Sequence, residues 1–198
     1  MTTASQNLAD VRVEIVRNDH LADLDRLFAT DAVADRCWCA WFCRPVKEFH
    51  VVGRDGNREL FIDTMQQHSN PIGLIAFIAS EPVGWCAIGE RSRFVRAVRV
   101  PTLAQREGSD DEVWLVPCFY IRHEFRKCGV AAALLSVAID CATAHGAVAI
   151  EGFPFADSKA KSAGPDAMVG SQSLFDQCGF RIVSRPSERR VVMRKDLA

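Results

Sequence analysis

Apolar and polar positions alternate with period two across Val11, Val13 and Ile15, separated by Arg12 and Glu14, which predicts a strand with one wet face. Leu21, Leu24, Leu27 and Phe28 then fall at helical spacing behind Asn18 or Asp19, either of which can cap, giving an amphipathic helix that ends before Asp31. Gly53 to Gly56 reads as a loop, and Asn57 opens a second helix through Phe61, Ile62 and Met65 that stops near Asn70 and Pro71. Ile72 to Ala79 is apolar throughout, a fully buried strand, and Val83 to Ile88 returns beside it as a hairpin.

Glu90 to Asp111 is long and polar, with Arg91, Arg93, Arg96 and Arg99 set among apolar residues. Segments of that length in compact domains are usually functional or disordered. Val113 to Ile121 has the composition of a central strand, yet Pro117 has no N–H to donate. Proline there implies a bulge or a place where a neighbouring strand leaves. Gly129 to His145 is a helix with one narrow polar stripe, Ser136, Asp140 and Thr143, and Gly146 closes it. A short strand from Ala147 to Glu151, a loop from Phe153 to Gly170, a short helix from Ser171 to Cys178, and strands over Phe180–Val183 and Arg190–Arg194 complete the chain. The order β-α-α-β-β-β-α-β-α-β-β is a mixed sheet with helices on its faces, an α/β (α+β) class.

At 198 residues with 48% hydrophobic content the chain is expected to form one domain with a full core, residues 1–10 being a disordered lead-in. A formal net charge of -1 argues against nucleic acid as the main partner. No apolar run approaches the roughly 18 residues of a membrane span, and the opening M-T-T-A-S-Q-N-L-A-D has no signal-peptide pattern, so a cytoplasmic protein without a membrane partner is expected. Cys86, Cys118, Cys141 and Cys178 lie in apolar segments and read as reduced thiols used as small hydrophobes. Cys37, Cys39 and Cys43 are spaced C-x-C-x3-C, which lacks the usual metal pairs, so no metal is expected. The alternating terminal strands could pair across a homodimer.

Chemistry concentrates where the strand ending at Ile121 turns into the helix that follows Gly129. Such a junction presents free backbone N–H groups at the positive end of a helix, where a pyrophosphate fits. Gly129 allows close approach, small Ala131 leaves the first turn uncrowded, and Arg126 and Lys127 add positive charge.

These residues resemble the signature of the GCN5-related N-acetyltransferases: Arg126, Gly129 and Ala131 match Arg/Gln-x-x-Gly-x-Gly/Ala, and L-F-D-Q-C-G-F at Leu174 to Phe180 is similar to the family's L-Y-E-x-L-G-F. The resemblance implies a mostly antiparallel central sheet of about seven strands, a splay between strands four and five, and about four flanking helices. It also implies acetyl-CoA as co-substrate, held by Arg126, Lys127, Cys128, Gly129, Val130 and Ala131 at the pyrophosphate and by the backbone of Phe119, Tyr120 and Ile121 along the pantetheine. Pro117 would then mark the bulge that opens the splay.

The family's tyrosine acid falls at Phe175 here, its asparagine seven residues earlier at Met168, and its strand-four glutamate at Leu115. Glu151 is the leading remaining base, with Glu112 and Glu90 behind it; each could equally be a salt-bridged carboxylate at a strand end, and a water chain could serve instead. Cys118 is a candidate for a covalent acyl-enzyme or for inert packing. Trp38, Trp41 and Phe42 are expected either to wall the acceptor site or to plug the core beneath the sheet, and the arginines of Glu90–Asp111 to face them or to sit in a solvated loop. Two functions follow: N-acetyl transfer to a primary amine of a small molecule or peptide by direct attack, or acyl-CoA binding without chemistry.

Overall fold

The computed structural model describes residues 11–100, 108–157 and 168–197; the expected lead-in at 1–10 lies outside them. Seven strands form one sheet: β1 (Val11–Ile15), β2 (Gly73–Ile78), β3 (Glu81–Glu90), β4 (Val113–Ile121), β5 (Ala149–Gly152), β6 (Arg181–Ser184) and β7 (Val192–Asp196), in the order β1-β2-β3-β4-β5-β7-β6. Every neighbouring pair is antiparallel except β4 and β5.

Helices cover both faces. On one, α5 (Val130–Ala144) and α6 (Gln172–Gln177) pack Leu134, Leu135, Ala138 and Phe175 against Cys86, Trp114, Val116 and Phe119. On the other, α1 (Leu21–Phe28), α2 (Ala32–Cys37) and α3 (Val46–Gln67) bring Leu24, Phe28, Trp38 and Phe61 onto Ile75, Trp85, Cys118 and Tyr120. Each fully buried aliphatic or aromatic side chain of this kind stabilises by about 1.5–3 kcal/mol, so both layers hold the sheet. Among the described residues no helix is long and apolar enough to cross a membrane.

The structure departs from the pattern reading in three places. The stretch expected as a loop at Gly53–Gly56 lies inside α3, which starts at Val46 behind Pro45. The break is confined to Gly53 (φ 63°, ψ -159°), a conformation open essentially to glycine alone. A helix that the pattern does not predict, α2, leads into the aromatic and cysteine stretch and ends at Cys37, its N-terminus capped by Asp31 Oδ1 accepting from the amides of Val33 (2.9 Å) and Ala34 (3.0 Å). The polar segment after β3 is not a solvated loop where it is described: it forms α4 (Val95–Arg99), with Phe94 and Ala97 buried.

Candidate cofactor and acceptor site

Strand β4 is paired on both sides for only part of its length. β5 accompanies it over Val113, Trp114 and Leu115 and ends at Gly152, while β3 follows it to Ile121. Between Ala87–Cys118 and Gly89–Leu115 a single β3 residue faces two of β4, Val116 and Pro117, so these two form a bulge. The bulge reverses the side-chain alternation: Trp114 and Val116 share the α5 face with Phe119, whereas Leu115 is followed on the other face by Cys118 and Tyr120.

Beyond the bulge the register fixes which backbone groups are open. Arg122 N donates to Val83 O at 3.0 Å, and the same register runs back to Cys118–Ala87. The doubly hydrogen-bonded antiparallel pairs are therefore Tyr120–Trp85 and Cys118–Ala87, which turns the backbone N–H and C=O of Phe119 and Ile121 toward the gap left by β5. Tyr120, named with them from the sequence, spends its own backbone groups on β3.

The junction to α5 lies beside that gap. Gly129 caps the helix at φ 82° and Lys127 also has positive φ, 63°, so the turn curls its amides inward. Among the described residues the N–H groups of Lys127, Cys128 and Gly129 donate to no backbone carbonyl, and those of Val130, Ala131 and Ala132 precede the first helical bond, from Ala133 N to Gly129 O at 3.0 Å. Arg126 turns back along the strand, its Nε donating to Ile121 O at 3.1 Å. The helix start sits close on the sheet: a Cβ at Gly84 would lie 2.8 Å from Val130 Cγ1. Such a curl of amides at a helix N-terminus suits a pyrophosphate.

On the opposite face of β4 a pocket of about 450 Å³ is lined by Trp41, Phe42, Phe49, Cys118 and Met168, with Arg36, His50 and Arg190 also on its wall. Trp38 is not part of it. That ring is buried edge-on between Phe28 (4.9 Å) and Phe61 (5.5 Å), plugging the core beneath the sheet. Trp41 already carries a cation, the Arg96 guanidinium 3.6 Å from its ring centre. At the floor the Cys39 and Cys118 sulfurs are 3.5 Å apart, and Trp85 Nε1 donates to Cys39 Sγ at 2.8 Å. The bond to Cys118 first, and then burial, push the Cys39 thiol well up; burial pushes Cys37 up to about 12. Both stay protonated near neutrality. The Cys118 thiol meets Cys39 and, at 3.9 Å, the carbonyl of Phe119 rather than a base.

Of the three carboxylates, Glu151 lies one residue before β5 ends and the gap opens, and Glu112 and Glu90 lie at the far end of β4. Glu151 is fully buried on β5, with Arg194 Nη1 donating to Oε1 at 2.8 Å and Arg91 Nη1 3.6 Å from Oε2. Burial pushes its carboxyl up, against the pull of both arginines. Glu112 is exposed at the start of β4 and accepts from Ser109 Oγ at 2.7 Å; Glu90, at the end of β3, pairs with Trp114 and accepts from Asn70 Nδ2. Both sit at the end of β4 where the sheet is closed. Two of the arginines after β3, Arg91 and Arg93, are held within the fold. Arg91 donates to Asp110 Oδ1 (2.6 Å) and Gly108 O (2.7 Å), and Arg93 to the carbonyls of Ile72 and Ile88.

Phe175, at the tyrosine position of the resemblance, is fully buried against Phe180 (4.9 Å) and Phe119 (6.1 Å). Its ring tip lies over Gly152, where a Cβ would come within 2.5 Å of Cζ. Residues that sequence reasoning missed are Arg36, His50 and Arg190. They converge on one pocket from α2, α3 and the segment before β7, with no common period or motif to announce them.

This sheet, with its parallel β4–β5 pair parting at a bulge beside a glycine-capped helix, is the fold of the GCN5-related N-acetyltransferases. A structure of a GCN5-related N-acetyltransferase from Kribbella flavida superposes with a TM-score of 0.58 at 16% identity, over 96% of this chain and 99% of that one. A GNAT-family acetyltransferase from Streptococcus pneumoniae gives 0.56 at 14% identity, over 95% and 99%, and the PaiA N-acetyltransferase from Thermoplasma acidophilum, solved in complex with coenzyme A, gives 0.54 at 12%, over 94% and 98%. Neither a family model nor a curated protein sequence matches the chain. At these identities the likeness is one of fold.

Proposed function

We infer that the protein is an acetyl-CoA-dependent N-acetyltransferase acting on a primary amine of a small molecule by direct attack within a ternary complex. The observation that carries this reading is the open edge of β4: the backbone groups of Phe119 and Ile121 face a gap that ends at the uncommitted amides of the Lys127–Gly129 turn. An extended pantetheine would add to that edge as a strand does, with its pyrophosphate at the helix start. Arg126 and Lys127 would supply neutralising charge, and Val130 and Ala131 the first turn that the phosphates approach.

The amine nitrogen attacks the thioester carbonyl carbon, the C–S bond breaks, and CoA leaves as thiolate. A thiol with an ordinary pKa of about 8.5 is a good leaving group near neutrality, so the absence of a tyrosine at Phe175 does not block the step. Glu112 and Glu90 lie at the far end of β4 and the Glu151 carboxylate is taken by Arg194 and Arg91, so the amine's proton passes to water. Glu151 serves as the buried partner of Arg194 and Arg91.

Acetyl-CoA at 100 times its dissociation constant should stabilise the protein by about 2.7 kcal/mol in thermal unfolding, and CoA should be released when an amine is added. A second reading, acyl-CoA binding without chemistry, is favoured by Phe175, which cannot donate a proton. The same pair of measurements separates the two: stabilisation without CoA release across an amine panel selects the binding protein, and no stabilisation at millimolar acetyl-CoA removes both.

A further inference from the structure

A second, much smaller cavity lies between α3 and β3, and Cys39 lines both it and the larger pocket. The room in it for the centre of a water-sized sphere is about 20 Å³, which suits an occupant of one or two atoms. Most of its lining is apolar and buried, Phe61, Ile72 and Trp85 among it. Two donors at this cavity have lost water without gaining a partner. Trp38 is 1% exposed, and its Nε1 donates to nothing among the described residues. Arg93 spends Nη2 on the carbonyls of Ile72 (3.1 Å) and Ile88, while its buried Nε has no acceptor.

The fold makes room for this guanidinium. It lies 4.2 Å over the Phe94 ring, and a Cβ at Gly89 would come within 2.8 Å of its Nε, so a glycine is what admits it. Burial pulls Arg93 down from its usual range, with the Cys43 thiol and Glu90 acting against that shift. Glu90 forms no ion pair with it among the described residues and accepts instead from Asn70 Nδ2. A buried charge without a paired anion and a buried N–H without an acceptor both carry a desolvation cost that the right occupant removes.

Counting donors and acceptors decides what that occupant is. A water molecule accepts from two such donors but must also place two hydrogens of its own. Among the lining side chains the one oxygen is Thr64 Oγ1, whose proton goes to Leu60 O at 2.6 Å, and the sulfurs of Cys39 and Cys43 are weak acceptors. A monatomic anion needs donors alone, and it brings the counter-charge that the guanidinium lacks. We infer that the cavity binds a single halide ion, chloride in ordinary solution, held by Arg93 Nε and Trp38 Nε1. The ion ties the segment after β3 to the turn that follows α2, so halide stabilises the fold. This site stands apart from the acetyl-transfer reading, since no group proposed to hold CoA takes part in it.

The test uses the full-length protein in two ways. Crystals are grown or soaked in sodium bromide, and an anomalous difference map is calculated at the bromine absorption edge. Thermal unfolding is compared in sodium chloride and in sodium gluconate at equal ionic strength, the gluconate anion being too large for the cavity. We expect a bromide peak inside the cavity, and a melting temperature about 3 °C higher in chloride at about ten times its dissociation constant. Trp38→Phe keeps an aromatic ring and removes one donor; its chloride increment should fall below about 1 °C, as for about tenfold weaker binding. Arg93→Met should lose the increment altogether, and if that variant does not fold, Trp38→Phe and the bromide map still decide. Density in the cavity without anomalous signal, which marks a water, would overturn the assignment. So would a chloride increment as large in Trp38→Phe as in wild type. Bromide bound at crystal concentration only, with no chloride increment in solution, overturns it as well.

Discussion

The two halves of β4 are built from similar residues and do opposite things. From Val113 to Leu115 the strand is paired on both sides and backed by the buried Glu151–Arg194 pair of the next two strands. From Cys118 to Ile121 it keeps β3 and loses β5, so one row of backbone groups is left facing a gap. The change occurs at Val116 and Pro117, where an extra residue kinks the strand and the proline has no N–H to leave unpaired. On the proposed reading the closed half serves stability and the open one binding, and substitutions should separate them.

The largest effect belongs to the closed half. Glu151→Ala removes the buried carboxylate that Arg194 and Arg91 share, leaving them Asp196 and Asp110 at the rim, and breaking a buried pair from one side costs about 3 kcal/mol. Denaturant unfolding should register that loss, while the folded fraction keeps its affinity for CoA; a lost affinity in the folded fraction would mean the two halves are not separable. In the open half, Gly129→Val places a β-branched residue at φ 82° and replaces the close-approach position of the turn. Calorimetry should show CoA affinity lowered about a hundredfold, near 2.7 kcal/mol. Unaltered affinity would take the turn out of the binding site.

Phe175→Tyr tests whether the gap needs an acid. The ring tip already lies over Gly152, so an added oxygen is overpacked or buried without a partner, at a cost of about 1–3 kcal/mol. Turnover should not rise. A tenfold increase would contradict departure of the thiolate without help. The smallest effect is one of pH. Burial holds the Glu151 carboxyl above its ordinary value of 4.5, so its contribution to stability is full below that value and is lost as pH rises through the folded one. Glu151→Gln cannot ionise and lacks this loss. Relative to wild type it should gain stability with rising pH over that window, and turnover should stay within about twofold.

Much of the open half was legible in the chain because it is written locally. Pro117 inside an apolar run announces the bulge, and Gly129 ahead of an Ala/Leu helix announces the turn. The closed half was not, since Glu151, Arg194 and Arg91 meet only when β3, β5 and β7 assemble, and nothing in their spacing distinguishes a buried pair from a catalytic carboxylate. Trp38 and Trp41 illustrate the same limit on the acceptor side. They are three residues apart in one aromatic stretch, yet the left-handed backbone at Trp38 and Cys39 sends the first ring into the core and the second to the pocket. The helix across Gly53 looks like a loop in the sequence because glycine is the usual sign of a turn, and here a single glycine absorbs the whole kink.

Hydrogen exchange resolved at single amides, with and without saturating CoA, tests the open edge most directly. The amides of Phe119 and Ile121 and of the Lys127–Gly129 turn should become at least about tenfold slower on binding, whereas Tyr120, already bonded to β3, should change little. Protection that spreads evenly along β4, or that leaves Phe119 and Ile121 unchanged while CoA is bound, would contradict the assignment of this edge as the CoA site.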